Sequence, residues 1–236
     1  MRSIFTYINI KRLYMSSKLK INTVSSVELD KIQFDKLYKT ANGITKANIK
    51  YNSKSFLLRG PMMLLGSDIV KCGDDYYVDL VFDMKSRRNK EFLELVRNSD
   101  YLVISEIYDN AKQWYPEKTA EPCLIQIEKE YIPTIKLSTL HADRQCLKIK
   151  VNHSKIEFYD GDNMEIPYQL LKENYPATPL LQLSTVYREG CHLWSEWELI
   201  QLKVEVPEKI FTGCQLADIV DDESTEEDAV DEDDFY

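Results

Sequence analysis

Residues 76–84 read Tyr76-Tyr77-Val78-Asp79-Leu80-Val81-Phe82-Asp83-Met84, and their alternation decides the fold class. Val78, Leu80 and Phe82 fall on one side with Tyr76 and Met84, and Tyr77, Asp79, Val81 and Asp83 fall on the other. That is the period of two of a strand with one apolar face. The stretch 71–75 (KCGDD) bounds it as a turn. Just upstream, residues 60–66 (GPMMLLG) open on Gly-Pro and close on Gly, a short apolar segment expected to cross the core. Downstream, Ser86 opens a short helix in which Phe92, Leu95 and Val96 share a face. Further strands are expected at residues 101–108 (YLVISEIY), 124–127, 132–138, 146–151 and 155–159. A second short helix is expected at 167–174, and a closing strand pair at 181–188 and 198–206. Many short strands, one or two short helices and no internal repeat argue for a mainly β domain with a closed or nearly closed sheet.

The charge is divided in the opposite way to the fold. Residues 218–236 (DIVDDESTEEDAVDEDDFY) hold 11 of the 39 acids and none of the 30 bases, which leaves residues 1–217 with 28 acids and a net charge of +2. Such a run cannot bury enough apolar surface to offset its chain entropy, so 213–236 is expected to be a disordered acidic tail. A solubilising role would explain the acids. Phe235 and Tyr236, at the end of Asp231-Glu232-Asp233-Asp234, suit a small apolar pocket on a partner instead. A tethered polyanion also competes with nucleic acid for a basic groove, at an effective concentration on the order of millimolar. At the other end, residues 1–27 carry Arg2, Lys11, Arg12, Lys18 and Lys20 with no acid before Glu28. Met15 reads as the true start and 1–14 as an upstream extension, the alternative being a basic arm; residues 28–212 form the one expected domain.

Catalytic motifs are missing from this text. There is no P-loop, GxSxG, HExxH or dinucleotide fingerprint, so no enzyme, catalytic residue or cofactor is expected. Cys72, Cys123, Cys146, Cys191 and Cys214 are scattered without a CxxC pair and read as reduced thiols of an intracellular protein. With His141, His153 and His192 they do not make a metal site. No apolar run approaches the ~20 residues of a membrane-spanning helix, and no membrane partner is expected.

Aromatic rings interleaved with cations are abundant, and single strands are held by that pairing, bases on rings and phosphates on Lys and Arg. Most rings in a β domain belong to its core, so a minority is expected to touch a ligand. Trp114 and Tyr115, beside Lys112 and ahead of Pro116, stand in a polar and exposed setting. The cluster Lys85, Arg87, Arg88 and Lys90 sits where a helix start prefers acids, which reads equally as a partner site or as a solvated turn. Lys54, Arg59, Tyr77 and Arg188 complete the expected DNA-contacting set.

With these residues in view, the chain resembles the single-stranded DNA-binding proteins of nucleocytoplasmic large DNA viruses, a group related to the T7-type phage protein. The resemblance rests on Gly60-Pro61-Met62-Met63…Gly66, on 77–83 (YVDLVFD), on Phe92…Asp100-Tyr101-Leu102-Val103-Ile104 leading to Asn110…Trp114, and on Leu193-Trp194…Trp197…Gln201-Leu202-Lys203-Val204. The acidic tail with its aromatic end is the fifth element. The resemblance implies an oligonucleotide/oligosaccharide-binding (OB) barrel that coats single-stranded DNA without catalysis. It implies a tail that masks the groove and meets the viral DNA polymerase or helicase-primase, a homodimer, and residence in the host-cell replication compartment, cytoplasm or nucleus, or in the virion. Where the family has glycines around the final Trp motif, this chain has Ser195 and Glu196. An acidic chaperone or histone-binding module, a structural virion protein and, third, an unrecognised hydrolase are the rival readings.

Overall fold

The computed structural model describes residues 20–67, 69–72, 75–138, 144–151 and 156–206. Its strands, in chain order, are β1 Ile21–Thr23, β2 Ile32–Phe34, β3 Tyr38–Lys39, β4 Thr45–Tyr51, β5 Lys54–Arg59, β6 Met63–Leu65, β7 Val70–Cys72 and β8 Asp75–Val81. Three helices follow, α1 Arg87–Asp109, α2 Ala111–Trp114 and α3 Leu124–Glu130. The chain then returns to strands: β9 Ile135–Leu137, β10 Gln145–Val151, β11 Glu157–Tyr159, β12 Pro176–Glu189 and β13 His192–Val204.

Five of these strands close on themselves. β6 pairs β8, β8 pairs β10, β10 pairs β13, β13 pairs β12, and β12 returns to β6. Numbered along the chain, the barrel strands neighbour one another as first, second, third, fifth, fourth and first again, the Greek-key order of an OB barrel. The third and fifth run parallel, Lys150 and Val151 lying opposite Glu198 and Leu199. The remaining pairs are antiparallel.

The Gly-Pro segment is where an outer sheet becomes the barrel. β5 and β6 both run antiparallel to β12, with Arg59 opposite Leu180 and Met63 opposite Ala177. One extra residue therefore sits on the β5–β6 side, a bulge that bends the strand. Gly60 donates its N–H to Pro179 O at 2.9 Å, and Pro61, which has no N–H to offer the ladder, occupies the bulge. Gly66 closes the segment for a packing reason. A Cβ there would lie 2.5 Å from Val81 Cγ2 and 3.2 Å from Asp79 Cβ. Gly66→Ala is expected to cost roughly 1–3 kcal/mol, read as a lower urea midpoint; an unchanged midpoint would show that β8 gives way freely.

Val78, Leu80 and Phe82 face inward as the alternation of 76–84 requires, but β8 ends at Val81 and Met84, expected on the same side, is exposed. Val78 and Leu80 are buried opposite Leu147 and Ile149, and Val151, Leu183 and Leu199 fill the same core. Phe56 packs between Tyr51, stacked at 5.0 Å, and Trp197 at 6.4 Å. The β12–β13 hairpin closes through Gly190-Cys191 alone, with Gly190 at φ +59, the first loop position of a two-residue turn that needs positive φ. Residues 189–197, expected to form a connection, are thus mostly strand, and Trp194 lies on it.

Three local readings are corrected by the helical layer. Residues 101–108 are the second half of α1 and not a strand: buried Phe92, Leu93, Val96, Ser99, Asp100, Val103, Ile104 and Ile107 recur every three or four residues without a Gly or Pro to interrupt them. The β-branched run imitates a strand only while the window is short. Residues 124–127 form α3, which packs against α1. Residues 167–174 contain only the single 3-10 turn Tyr168–Leu170. The basic start of α1 is held by a cap, since Ser86 Oγ accepts from Asn89 N at 3.4 Å. Asn89 in turn donates to Met62 O at 2.9 Å, tying the helix to the bulge. β1 already pairs with β5, so the sheet begins ahead of residue 28. The segment 1–14, the tail with its site residues Asp231 to Tyr236, and His141, His153 and Cys214 lie outside the described residues.

Candidate nucleic-acid interface

The outward side of the second and third barrel strands carries the charge. Because β8 and β10 are antiparallel and in register, Tyr77 lies opposite Lys150, Asp79 opposite Lys148 and Val81 opposite Cys146. β9 adds Lys136 opposite Cys146. Partners in register point to the same face of the sheet, so three lysines and a tyrosine line up there. Lys148 Nζ stands 5.5 Å from the centre of the Tyr77 ring. Lys136 and Lys148 are exposed, and the inward neighbours Leu147 and Ile149 are fully buried.

This face is one side of a groove of about 680 Å³. Its other side comes from β13, with Trp194, Ser195 and Glu196, and from Glu189 and His192 beside the hairpin tip. Thr134, ahead of β9, completes it. Trp194 is held upright by Tyr187, whose ring stacks on it at 5.3 Å and 12°. The Tyr187 hydroxyl donates to Glu196 at 2.8 Å, and burial together with that carboxylate pushes its pKa up. Asp79 is buried beneath the lysines. Burial raises its pKa, against the pull of Lys148 and Lys136. Cys146 beside it is pushed up to about 11, first by burial and then by Asp79, so it stays a thiol at neutral pH.

Under the groove a polar cluster joins it to α1. Asp100, on α1, accepts from the Tyr131 hydroxyl at 2.7 Å, from the Thr134 hydroxyl at 2.6 Å and from the Thr134 N–H at 2.9 Å. Ser195 Oγ lies 2.9 Å from Tyr131 Oη and 3.1 Å from Thr134 Oγ1. Ser195, which replaces an expected glycine, thus has a definite use. It ties β13, next to Trp194, to the helical layer.

Of the expected contact residues, Tyr77 alone lines this groove. Trp114 and Tyr115 are corrected: they are 1% and 2% exposed, so no base can stack on them. Tyr115 donates to Glu130 at 2.8 Å and has the Lys118 ammonium 4.4 Å and the Arg188 guanidinium 4.1 Å from its ring centre. Arg188 is corrected with them. Its side chain, 11% exposed, donates to Trp114 O at 2.8 Å and pairs with Glu117, clamping the turn after α2 to β12. Pro116 ends a helix that is packed down, and the polar text around it belongs to the clamp.

The remaining cations are exposed but stand elsewhere. Lys85, Arg87, Arg88 and Lys90 surround the start of α1, beyond the far end of β8 from Tyr77, and Arg87 pairs with Glu91 at 2.7 Å. Lys112 pairs with Glu121 at 3.2 Å. Lys54 opens β5, and Arg59 at its end lines a different hollow of about 420 Å³ with Tyr159 and Lys203. Lys136, Lys148, Lys150 and Trp194 were missed as site residues. The signal of Lys148 and Lys150 is visible in residues 147–151 (LKIKV), where cations alternate with buried aliphatics, but only the pairing with β8 shows what they face.

No protein-family model matches the chain, and no curated protein matches it. Solved structures do. Gp2.5, a single-stranded DNA-binding protein encoded by bacteriophage T7, is 10% identical with a TM-score of 0.44, over 70% of this chain and 96% of that one. The single-stranded DNA-binding protein of bacteriophage Enc34 is 8% identical with a TM-score of 0.42, over 78% of this chain and 95% of that one. The same Enc34 protein in complex with single-stranded DNA gives 8% and 0.43, over 76% and 99%.

Proposed function

We propose that this protein binds single-stranded DNA without sequence preference and without catalysis. The observation that carries the reading is the outward row of Lys136, Lys148 and Lys150 set against Tyr77 and Trp194 across one groove. In an OB barrel the face of the second and third strands and the loops beside it are where oligonucleotides lie. Lysines follow the phosphates, rings accept base faces, and neither asks for a sequence. Glu189 and Glu196 on the opposite wall disfavour phosphates there, which orders the strand with its backbone toward β9 and β10 and its bases toward Trp194.

The fuller reading is a replication, recombination and repair protein of a large DNA virus. In it, residues 218–236 compete for the groove when DNA is absent, and Phe235 and Tyr236 engage a polymerase or helicase-primase when the tail is released. What supports the competition is charge: a body of +2 in which Lys136, Lys148 and Lys150 share one groove, and a tail of 11 carboxylates. Fluorescence anisotropy with single-stranded and duplex oligonucleotides, at two salt concentrations, tests both parts. The full chain is expected to bind the single strand more tightly than the duplex and to weaken with salt. A chain ending at residue 217 is expected to bind more tightly still; equal affinity would remove the masking tail. Absence of binding by either chain would sink the DNA reading and make the acidic tail the site to study.

A further inference from the structure

Beyond the barrel groove lies a row of four residues that crosses four adjacent strands. Tyr38 on β3 is opposite Lys46 on β4, Lys46 is opposite Tyr187 on β12, and Tyr187 is opposite Trp194 on β13. The register puts all four on one face. Their side chains touch in sequence: Lys46 Nζ is 5.0 Å from the centre of the Tyr38 ring and 5.7 Å from that of Tyr187, and Tyr187 stacks on Trp194. Tyr38 ends the row 42% exposed, with Lys36 and Lys39 exposed on either side. Neighbouring strands are about 4.8 Å apart, so the row extends roughly 14 Å outward from Trp194.

Two features set it apart from ordinary cross-strand packing. Lys50, on the same strand as Lys46, is held by Asp35 at 2.8 Å, whereas the Lys46 ammonium is placed between two ring faces. The row also begins on Trp194, a wall of the groove, and leads away from it without a break. β3 and β4 stand outside the five-strand barrel.

We infer that the β3–β4 extension carries a second single-strand subsite, continuous with the groove, in which the exposed Tyr38 ring takes a base face and Lys46 takes a phosphate. Tyr187, covered by Trp194 and Lys46, holds the row together. The inference rests on the single-strand reading of the groove and lengthens its footprint. A strand leaving the groove past Trp194 meets alternating ring and cation, the pairing that holds single strands irrespective of sequence.

The test compares the full chain with the double variant Tyr38→Ala/Lys46→Ala on oligothymidylates of about 5 and about 16 nucleotides, the span of site sizes for one OB barrel. The short strand fits the groove alone and is expected to bind both proteins equally. The long strand is expected to bind the variant about 10-fold more weakly or worse, since one ring stack is worth roughly 5–150-fold. Its log–log salt slope should fall by about 0.7 for the lost phosphate contact. Tyr38→Ala alone, at an exposed edge position, is expected to show the length dependence with the slope kept, whatever the double variant does to folding. Equal loss on both lengths, or no loss on either, would overturn the second subsite. Failure of the unaltered protein to bind either length would instead overturn the groove.

Discussion

Replacing Lys136, Lys148 and Lys150 together by alanine is expected to lower single-strand affinity by about 10²–10³-fold at about 50 mM salt. Each lysine that neutralises a phosphate releases part of a condensed counterion, about 0.7 for a single strand, so three lysines account for a slope of about 2 in log affinity against log salt. That slope generates the loss: over the range from about 50 mM to about 1 M, the two proteins should converge. All sequences should lose affinity alike, because phosphates carry no sequence information. The substitutions sit on exposed or half-exposed positions of β9 and β10, so the fold should persist. A triple alanine variant at Lys85, Arg88 and Lys90, which lie at the start of α1 away from the groove, supplies the control for net charge alone. Equal salt slopes for the two triple variants would refute the groove as the phosphate track.

The second large effect falls on stability. Asp100→Ala removes the acceptor for two hydroxyls and a backbone N–H within a cluster where Asp100 is 8% exposed and Tyr131 5%. Each buried donor left without a partner costs roughly 1–3 kcal/mol. A total of about 3–5 kcal/mol is expected, since Thr134 and Ser195 can recover part of it by bonding to each other. Urea unfolding should show it as a fall in midpoint at constant slope. A variant within about 1 kcal/mol of the parent would mean that water enters beneath the groove and serves the donors.

Asp100→Asn refines this through pH. Burial raises the Asp100 pKa, and the hydrogen bonds from Thr134, Tyr131 and Ser195 pull it back without cancelling the rise. A carboxyl with a raised folded pKa binds its proton more readily in the folded than in the unfolded state. Its contribution is therefore fullest below the unfolded value, about 3.9, and declines as pH rises through the window up to the folded value. Asparagine has no such dependence. The stability of the parent relative to Asp100→Asn should fall as pH is raised through that window and then level off. A difference that does not change with pH would show that Asp100 is charged alike in both states.

How much of this was legible in the chain follows from the range of the interactions involved. The alternation of Val78, Leu80 and Phe82 against Tyr77 and Asp79 is a property of neighbouring residues, and it announced both the strand and its inward face. Gly60-Pro61 marked a break between segments for a similarly local reason, because a proline nitrogen cannot join a ladder wherever the ladder is. That the break is a bulge came only from the pairing with β12. Residues 101–108 misled because a β-branched run reads as a strand until the buried positions of the whole 23-residue helix are laid out together. Trp114 and Tyr115 misled because their polar neighbours belong to a clamp whose other half, Arg188, lies more than 70 residues away.

The sequence by itself thus determined a β-rich body near electrical balance, an acidic tail, and which residues of a strand share a side. Only the tertiary structure decided that Lys148 and Lys150 face Tyr77, that Trp194 looks across at them while Trp197 is core, and that Tyr38 and Lys46 continue the row. The reason is physical. Period two is set by the geometry of one strand, whereas strand register and the choice of neighbour are set by hydrogen bonds and core packing between segments far apart in the chain.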